Sequence, residues 1–411
     1  MKGASKIVLI TTGQPASNPR LVKEADSLAG YGYEVTVLYA YWANWAAKAD
    51  KVLLKSKKWQ GICIGGDPFH QPTRYTLSRM FHKLVLLVFK FTQMLFMTGW
   101  AISRSSLWLT IEAKRHKADL YIAHNPGALP AAVKAAKVNN ALCGFDAEDF
   151  HLGETNAAID SLEFRLKKAV ETTYFPELDY FTTSSPDIGE AYRKIYPFLA
   201  PIVLLNVFPE VDVVKNSRVV NQTTHLIWFS QTIGTNRGLE DIILALHLIN
   251  DKQIKLHLLG NITASAKPIL DLIREKNITA ELHDPLPPDE IAAFCAGFDI
   301  GLALEPGFCE NNKMALSNKL FTYMQAGLMT IASDTPAQKK FFEANPRAGR
   351  TYPIGDHSAL AGIIAFYHNN KSELTSANQD ALQLFRTKYN WERESTKFLS
   401  LVQETLASRP K

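Results

Sequence analysis

Short apolar runs alternate with amphipathic stretches along the first half of the chain. Six runs predict strands, and the stretches between them include five with helical periodicity. The predicted strands lie at 6–11, 34–39, 119–123, 142–145, 180–183 and 202–205, and the predicted helices at 19–32, 104–117, 129–138, 157–174 and 186–195. Strands this short, alternating with helices, are typical of a parallel sheet covered by helices on both faces.

A second series of the same kind follows. The predicted strands lie at 225–229, 255–259, 279–282, 299–303 and 329–332, and the helices at 238–248, 268–276, 289–296, 317–326 and 336–343. The change from one series to the next falls at 206–220, and the tail reads as an amphipathic helix. The sequence therefore predicts an α/β protein with two doubly wound parallel-sheet domains, 1–206 and 207–389, and a C-terminal helix within 390–411.

Length and composition agree with this division. A chain of 411 residues with 46% apolar and 21% charged residues is globular and long enough for two domains. Its four cysteines form no C-x-x-C pair and no zinc-ligand spacing, which predicts a reducing compartment and no metal site. The apolar stretch after Lys2 is too short for a secretory signal, so we expect a cytoplasmic protein.

Charge is distributed unevenly. Residues 51–117 carry a net charge of +10, whereas the remainder carries −5. Within 79–102, Arg79, Lys83 and Lys90 lie on a narrow stripe of an otherwise apolar helical pattern. Lys90 near mid-bilayer would cost about 2.5–3.5 kcal/mol, which disfavours a spanning helix.

Two interpretations of this segment remain. It is an interfacial helix on the anionic inner face of a membrane, or a long buried helix pair of the first domain with solvated lysines. Binding to nucleic acid is disfavoured, because the basic residues alternate with aliphatic runs rather than with stacking platforms.

Polar residues follow several predicted strands of the first domain, where open α/β sheets bind ligands. Asn18 can cap the next helix, and Arg20 can meet an anion. His124 ends one strand, and Glu148 and Asp149 follow another, where carboxylates suit acid/base work or sugar hydroxyls. The alternatives are a solvated arginine, a hydrogen-bonded structural histidine and a helix cap by Asp149.

The loop at 229–240 of the second domain predicts a phosphate site. Gln231, Thr232 and Gly234 precede Arg237 at a helix start, so backbone N–H groups and a guanidinium can face one anion. The loop is neither a P-loop nor a G-x-G-x-x-G motif.

A second polar set lies between Glu305 and the helix at 317–326. Ser317 is predicted to be the N-cap, with Asn318, Lys319 and Thr322 on the first turn. A cation and polar groups at a helix N-terminus suit the phosphates and ribose of a nucleotide. The alternative is an ordinary capped helix that packs on the sheet.

Four segments, taken in order, carry a family resemblance. They are Asn18-Pro19-Arg20, Ala123-His124-Asn125, the loop at 231–238 and the run at 317–324. Together they resemble the family 4 type of glycosyltransferase with the GT-B fold. The resemblance implies two Rossmann-like domains facing across a cleft, with the acceptor mostly in the first and the nucleotide sugar mostly in the second. It also implies a last helix that returns to the first domain. It also implies retention of configuration without a metal, which agrees with the lack of a D-x-D motif.

The resemblance also implies roles for single residues. Arg237 matches the residue that holds the donor diphosphate, and His124 matches a histidine near the sugar and acceptor. Glu305 resembles the first glutamate of the E-x7-E motif, so His124, Arg237 and Glu305 are the predicted catalytic residues. Thr322 stands where the second glutamate, the ribose binder, is usually found, and the seventeen-residue gap from Glu305 breaks the spacing. Asn318 and Lys319 resemble the Asn-Lys pair of a subgroup of this family, which implies that they bind the donor.

The resulting expectation is a glycosyltransferase in cell-surface polysaccharide synthesis. It would move a sugar from a nucleotide-diphospho-sugar to a saccharide or lipid-linked acceptor, without a cofactor. The predicted donor-binding residues are Gln231, Thr232, Gly234, Arg237, Asn318, Lys319 and Thr322, and the predicted acceptor-side residues are Asn18, Arg20, Glu148 and Asp149. A nucleotide-sugar epimerase or hydrolase, and an inactive sugar-nucleotide-binding relative suggested by Thr322, are the alternatives.

Overall fold

The computed structural model describes residues 4–408 except 93, 157, 160 and 212–221. The chain forms two compact units. The first runs to Leu204 and is joined again by the chain from Ser395 onward, and the second is Leu205–Glu394. Gln93 of the basic segment and most of the predicted boundary at 206–220 lie outside the described residues.

The first unit is built on a parallel sheet of seven strands in the order β3-β2-β1-β4-β5-β6-β7. Its central strands are apolar and buried, as expected for a sheet covered on both faces. The strands are β1 (Lys6–Thr11), β2 (Glu34–Ala40), β3 (Gln60–Ile64), β4 (Leu120–His124), β5 (Leu142–Ala147), β6 (Tyr180–Thr183) and β7 (Pro201–Val203). The edge strand β3 was not predicted.

Eight helices accompany this sheet among the described residues. They are α1 (Pro19–Tyr31), α2 (Asn44–Leu53), α3 (Pro72–Thr92), α4 (Thr98–Ala101), α5 (Ser106–Arg115), α6 (Leu129–Asn139), α7 (Leu162–Tyr174) and α8 (Pro186–Ile195). The predicted cap of α1 is confirmed, because the Asn18 side chain accepts a hydrogen bond from the Leu21 N–H at 3.0 Å.

The second unit repeats the plan with six parallel strands in the order β10-β9-β8-β11-β12-β13. The strands are β8 (Thr224–Ile233), β9 (Ile254–Ile262), β10 (Ala280–His283), β11 (Ile300–Ala303), β12 (Met329–Ser333) and β13 (Gly349–Tyr352). The helices are α9 (Leu239–Ile249), α10 (Lys267–Glu275), α11 (Ile291–Cys295), α12 (Glu310–Met314), α13 (Asn318–Gln325), α14 (Pro336–Ala344), α15 (His357–Asn369) and α16 (Lys371–Thr387). One apolar core lies on each face of this sheet.

The last helix, α17 (Trp391–Ala407), contributes to both units. Trp391 belongs to a core cluster of the second unit, and its N–H donates to the Phe208 carbonyl at 2.9 Å. Phe398 and Val402, further along the helix, are buried in the core of the first unit beside α1 and β1.

Helix α3 carries apolar residues on two sides. Val85 and Phe89 are buried against α4 and α7. Leu84 and Phe91 are 60% and 78% exposed, and the outward side also carries exposed Lys83. Basic and apolar side chains therefore both lie on the exposed side of α3, and the predicted interfacial role of this helix stays a prediction. Among the described residues, no helix combines the length and apolarity needed to cross a membrane.

Candidate functional site

Arg20 of α1 is fully buried and bound to Asp146 near the end of β5. Its Nε and Nη2 atoms donate to the two oxygens of Asp146 at 2.6 and 2.8 Å, and its Nη1 donates to the Leu204 carbonyl at 2.7 Å. Thr182 on β6 donates a further hydrogen bond to Asp146 at 2.7 Å. The predicted anion partner of Arg20 is thus a carboxylate of the protein itself.

His124 completes this buried group. Its ring nitrogens lie 3.2 Å from the Glu24 carboxylate and 3.5 Å from that of Asp146. Burial lowers the pKa of His124, but the facing carboxylates outweigh it and raise that pKa to about 10. Burial also opposes the charge of Asp146, yet Arg20 holds the pKa of Asp146 well below its usual range. His124 is therefore a cation and Asp146 an anion at neutral pH.

Glu24, His124 and Asp146 could also be reached by one cation, since their ligand atoms lie within 4.8 Å of one another. The Arg20 guanidinium already occupies that role, because its Nε also lies 3.6 Å from Glu24. At 2% exposure, His124 is closed off from solvent. The structure thus brings Arg20 and His124 together, as a buried ion-pair network.

Two neighbours of this network titrate near neutral pH. Burial, and then the charge of Asp149, raise the pKa of Glu148 to about 7. Burial, and then the charge of Arg20, lower the pKa of Lys23 to about 7. Glu148 and Asp149 are both partly exposed, unlike Asp146. Perturbed groups of this kind are common in functional sites.

A cavity of about 480 Å³ lies beside the ends of β2 and β3. Aromatic and acidic side chains line it, among them Tyr39, Tyr41, Asp50 and Asp67. Gln14 fixes one wall, because its amide donates to Asp50 at 2.9 Å while its carbonyl accepts backbone N–H groups from the start of α2. Tyr39, Tyr41, Asp50 and Asp67 were not predicted as site residues. The cavity that they line lies beside the edge strand β3, which the hydrophobic pattern did not reveal.

In the second unit, Arg237 is held by two hydroxyl groups. Its Nη1 donates to Ser230 Oγ at 2.8 Å and its Nη2 donates to Thr232 Oγ1 at 3.1 Å. Both hydroxyls come from the irregular part of β8, where pairing with β9 shifts between Phe229 and Thr232. No carboxylate of the described residues lies within salt-bridge distance of Arg237, so its charge is not neutralised locally.

Two glycines, Gly234 and Gly238, let this loop pack closely against Ser265 and Leu304. Gly238, the N-cap of α9, has a left-handed backbone with φ of 72°. A Cβ atom there would lie 2.7 Å from the Leu304 Cβ, and one on Gly234 would lie 2.9 Å from Ser265 Oγ. The N-terminus of α9 thus lies directly after Arg237 and against the residue that precedes Glu305.

Glu305 receives three side-chain hydrogen bonds. Lys319 Nζ and Ser317 Oγ donate to its Oε1 at 2.7 and 2.8 Å, and Asn312 Nδ2 donates to its Oε2 at 2.9 Å. Burial raises the pKa of Glu305, but Lys319 outweighs it and leaves that pKa below its usual value. Ser333 also bonds the Glu305 backbone, donating to its carbonyl at 2.7 Å. The Glu305 carboxylate is therefore ionised and held in place just beyond the carboxyl end of β11.

The helix start at 317 differs from the prediction in one respect. Ser317 occupies the N-cap position, but its hydroxyl makes no capping bond and donates to Glu305 instead. Asn318 is exposed and accepts a hydrogen bond from Asn206 at 3.1 Å. Thr322 is 5% exposed and donates to the Asn318 carbonyl at 3.1 Å. The structure therefore brings Lys319 to Glu305 and leaves Thr322 bonded within its own helix.

Gln231 is exposed on the irregular part of β8, and its carbonyl accepts a hydrogen bond from Asn261 at 2.8 Å. Asn312, which the prediction omitted, bonds Glu305 and also accepts the Gly307 N–H at 2.7 Å. The only sequence signal for Asn312 was its place in the polar run after Glu305.

Comparisons with known proteins bear on this arrangement. Residues 240–400 match the model of a family described as "Glycosyl transferase-like". No curated protein sequence matches the chain.

Solved structures of similar architecture cover nearly the whole chain. A glycosyltransferase from Rickettsia africae has a TM-score of 0.71 at 11% identity, covering 98% of this chain and 99% of that chain. Sucrose-phosphate synthase from Thermosynechococcus elongatus has a TM-score of 0.70 at 14% identity, covering 98% and 100%. HepE from Anabaena, in complex with UDP, has a TM-score of 0.68 at 13% identity, covering 97% and 100%.

The chain has the GT-B fold. The expected pair of Rossmann-like parallel-sheet domains is confirmed by the two sheets and by these structural neighbours. In GT-B terms, the Arg237 loop and Glu305 lie beyond the carboxyl ends of β8 and β11, the edge at which open α/β sheets bind ligands.

Proposed function

We propose that this protein is a glycosyltransferase that takes its sugar from a nucleotide-diphospho-sugar bound by the second unit. The observation that carries the proposal is the Arg237 side chain, fixed by Ser230 and Thr232 and not neutralised by any described carboxylate. A guanidinium prepared in this way, directly before the N-terminus of α9, suits a diphosphate. The family model match over 240–400 supports the same interpretation.

The chemistry follows from charge. As the nucleoside diphosphate leaves, negative charge develops on its oxygens and the sugar gains oxocarbenium character. Arg237, Lys319 and the backbone N–H groups of α9 stabilise that charge without reorganisation. In this proposal these groups suffice without a metal, and the sugar keeps its anomeric configuration, as the resemblance to the family 4 type implies.

Glu305 serves this site in two ways. Its carboxylate orients Lys319 through a 2.7 Å hydrogen bond. Its second oxygen, held by Asn312, can accept a hydrogen bond from a hydroxyl of the nucleotide sugar. Because Thr322 is buried and bonded to its own helix, we assign hydroxyl binding to Glu305 rather than to Thr322.

The acceptor is a saccharide or a lipid-linked saccharide. The 480 Å³ cavity of the first unit combines aromatic faces with carboxylates, a lining that suits sugar rings and their hydroxyls. Glu148, with a pKa of about 7, follows β5 beside the Arg20 network and is the candidate proton acceptor. His124, being buried, acts in this proposal by holding Asp146 and Glu24 rather than by touching substrate.

A ligand screen tests the proposal. Unfolding midpoints would be measured with UDP-, GDP-, dTDP- and ADP-sugars, beginning with UDP-glucose because HepE was solved in complex with it. A ligand at about 100 times its Kd stabilises the folded state by about 2.7 kcal/mol. We expect one class of nucleotide sugar to raise the midpoint of the natural chain, and Arg237→Ala to abolish the rise. Arg274→Ala, at an exposed arginine of the same unit, is the matched control.

Product analysis separates the alternatives. Transfer to added saccharide or lipid-linked acceptors supports the proposal, whereas turnover of donor without acceptor indicates an epimerase or hydrolase. Binding without turnover indicates an inactive relative. No stabilisation by any of the four classes would contradict donor binding altogether.

The exposed side of α3 supports a membrane-associated role in the synthesis of cell-surface polysaccharide. Leu77, Met80, Leu84, Leu87 and Phe91 follow one another at helical spacing and are each more than half exposed. Lysines lie among them, as in interfacial helices that bind anionic lipid. A cavity of about 290 Å³, lined by α3 and α7 side chains, lies beside this helix and could take a lipid chain.

Liposome flotation tests the proposed membrane association of α3. The protein should float with vesicles containing anionic lipid, and less so at high salt. Leu84→Glu combined with Phe91→Glu should abolish flotation, whereas Val52→Glu, at another exposed apolar residue, should not. Failure of the natural chain to bind any vesicle would end the membrane proposal and leave the glycosyltransferase proposal untouched.

A further inference from the structure

Three histidines form a diagonal row on one face of the second sheet, on its β8, β9 and β10 strands. The parallel register pairs His225 with Lys255, His257 with Ile227 and Glu281, and His283 with Leu259. Since side chains alternate between faces, His225, His257, Glu281 and His283 all point to the same side. No role in sugar transfer has been assigned to any of them.

The imidazoles are in direct contact. His225 Nδ1 lies 2.8 Å from His257 Nε2, and His257 Nδ1 lies 3.0 Å from His283 Nε2. The carboxylate of Glu281 approaches the same nitrogen, with its Oε2 atom 3.5 Å from His257 Nδ1. Two imidazole nitrogens and one carboxylate oxygen therefore converge on one point.

These separations fit the ligand shell of a metal ion. Bonds of about 2.0–2.1 Å in a tetrahedral site place neighbouring ligand atoms about 3.3 Å apart. The ligand atoms of His257, Glu281 and His283 all lie within 4.8 Å of one another. Glu281 is half exposed, so its side chain can move the remaining distance and an ion can enter from solvent.

We propose that His257 Nδ1, His283 Nε2 and Glu281 Oε2 bind a divalent transition-metal ion, with Zn²⁺ as the leading candidate and solvent as the fourth ligand. Neutral imidazole and carboxylate form the donor set that Zn²⁺ accepts. The site is separate from the Arg237 loop and from Glu305. The bound ion would tie the four-residue edge strand β10 to β9.

His225 has a positioning role in this site. If His257 binds the ion through Nδ1, its proton is on Nε2, and the 2.8 Å contact lets it donate to His225 Nδ1. Hydrogen bonds of this kind fix the tautomer and ring orientation of metal-bound histidines. The Phe298 ring, 4.7 Å from His257 between centroids, packs against the same ring.

In the metal-free site, Lys255 faces the negative charge of Glu281. Lys255 Nζ lies 3.8 Å from Glu281 Oε1, so one carboxylate oxygen faces a lysine while the other faces His257. Binding of the ion replaces the hydrogen bond between His257 and His283 with two metal bonds. The metal-free protein therefore keeps the ligands in place.

Metal titration tests the site. The full chain would be stripped with a chelator and titrated with Zn²⁺ against a chromophoric competitor, and with Co²⁺ to read the ligand field spectroscopically. We expect one equivalent bound and a higher unfolding midpoint with Zn²⁺. His283→Gln and Glu281→Gln should each weaken binding by more than tenfold, and His225→Gln by about 10- to 100-fold.

His247→Gln, at an exposed histidine of the same unit, is the matched control and should bind as the natural chain does. Because Glu281 is exposed, Glu281→Gln keeps the test valid if the histidine variants fold poorly. Unchanged affinity in both Glu281→Gln and His283→Gln, or no uptake of Zn²⁺ or Co²⁺ by the natural chain, would overturn the proposal. The histidines would then simply bond one another.

Discussion

Two arginines, one in each unit, have opposite surroundings. Arg20 is fully buried and donates to both oxygens of Asp146, whereas Arg237 is partly exposed and donates to two neutral hydroxyls. A guanidinium neutralised by carboxylates stabilises the fold, because separating the buried pair leaves an uncompensated charge. A guanidinium held by hydroxyls keeps its charge for a ligand. In the proposed function, the type of partner rather than the type of residue distinguishes the structural Arg20 from the ligand-binding Arg237.

The comparison predicts its largest effect at Asp146. Asp146→Ala removes both carboxylate bonds of Arg20 and leaves a buried cation, with an expected loss of about 3–5 kcal/mol of unfolding free energy. Urea denaturation would measure it. Asp271→Ala, at an exposed pair with Arg274, should cost at most about 1 kcal/mol. Similar losses in the two variants would contradict a structural role for Arg20.

Arg237→Ala should show the reverse profile. We expect stability to change by no more than about 0.5 kcal/mol. Transition-state stabilisation should fall by about 2–4 kcal/mol, seen as a drop in kcat/KM with the donor identified by the screen. Arg237→Lys should restore this only in part, because lysine lacks the two-pronged geometry. Unchanged transfer by Arg237→Ala would remove the basis of the proposed function.

The pH dependence of stability provides a third test. The pKa of His124 is raised to about 10 from 6.5, so the folded state binds its proton more tightly than the unfolded state. Its contribution is complete below about pH 6.5 and is lost as pH rises through about 10. The stability difference between the natural chain and His124→Gln should therefore be larger at pH 6 than at pH 9.5. An equal difference at both pH values would show that His124 is not held as a cation.

The smallest effect is expected at Lys319. Lys319→Met removes the cation that holds the pKa of Glu305 below its usual value, so that pKa should rise. The acid limb of the kcat/KM profile should move to higher pH. Lys313→Met is the control, because Lys313 pairs with the exposed Glu310. Identical profiles for both variants would indicate that Glu305 does not titrate in the reaction.

Apolar periodicity predicted the central strands and the edge strands β7 and β10, but not the edge strands β3 and β13. β1 and β4 are buried on both faces and read as continuous apolar runs. β3, with the sequence QGICI, and β13, with GRTY, lie at sheet edges and carry too few apolar residues to stand out. Helices α15 and α16 were also not predicted.

The sequence indicated where Arg237 and Glu305 lie, because each follows an apolar strand, and the structure places them beyond β8 and β11; their functional roles stay predictions. The partners of the candidate residues were harder to predict. The pairing of Arg20 with Asp146 joins residues 126 positions apart, so no local pattern could show it. Glu24 did carry a signal, as an acid four residues after Arg20 on one helix. Ser317 occupies the predicted N-cap position, but its hydroxyl donates to Glu305, and its oxygen accepts no hydrogen bond from the N–H groups of the helix.

The path of α17 has a practical consequence for anyone who wishes to study the halves of this protein separately. A fragment ending at Leu204 would lack Phe398 and Val402, which share one buried apolar cluster with Leu9 and Leu21, and would expose apolar surface to aggregation. We expect the N-terminal half to fold separately only when residues from 395 onward are supplied, either through a short artificial linker or as an added peptide.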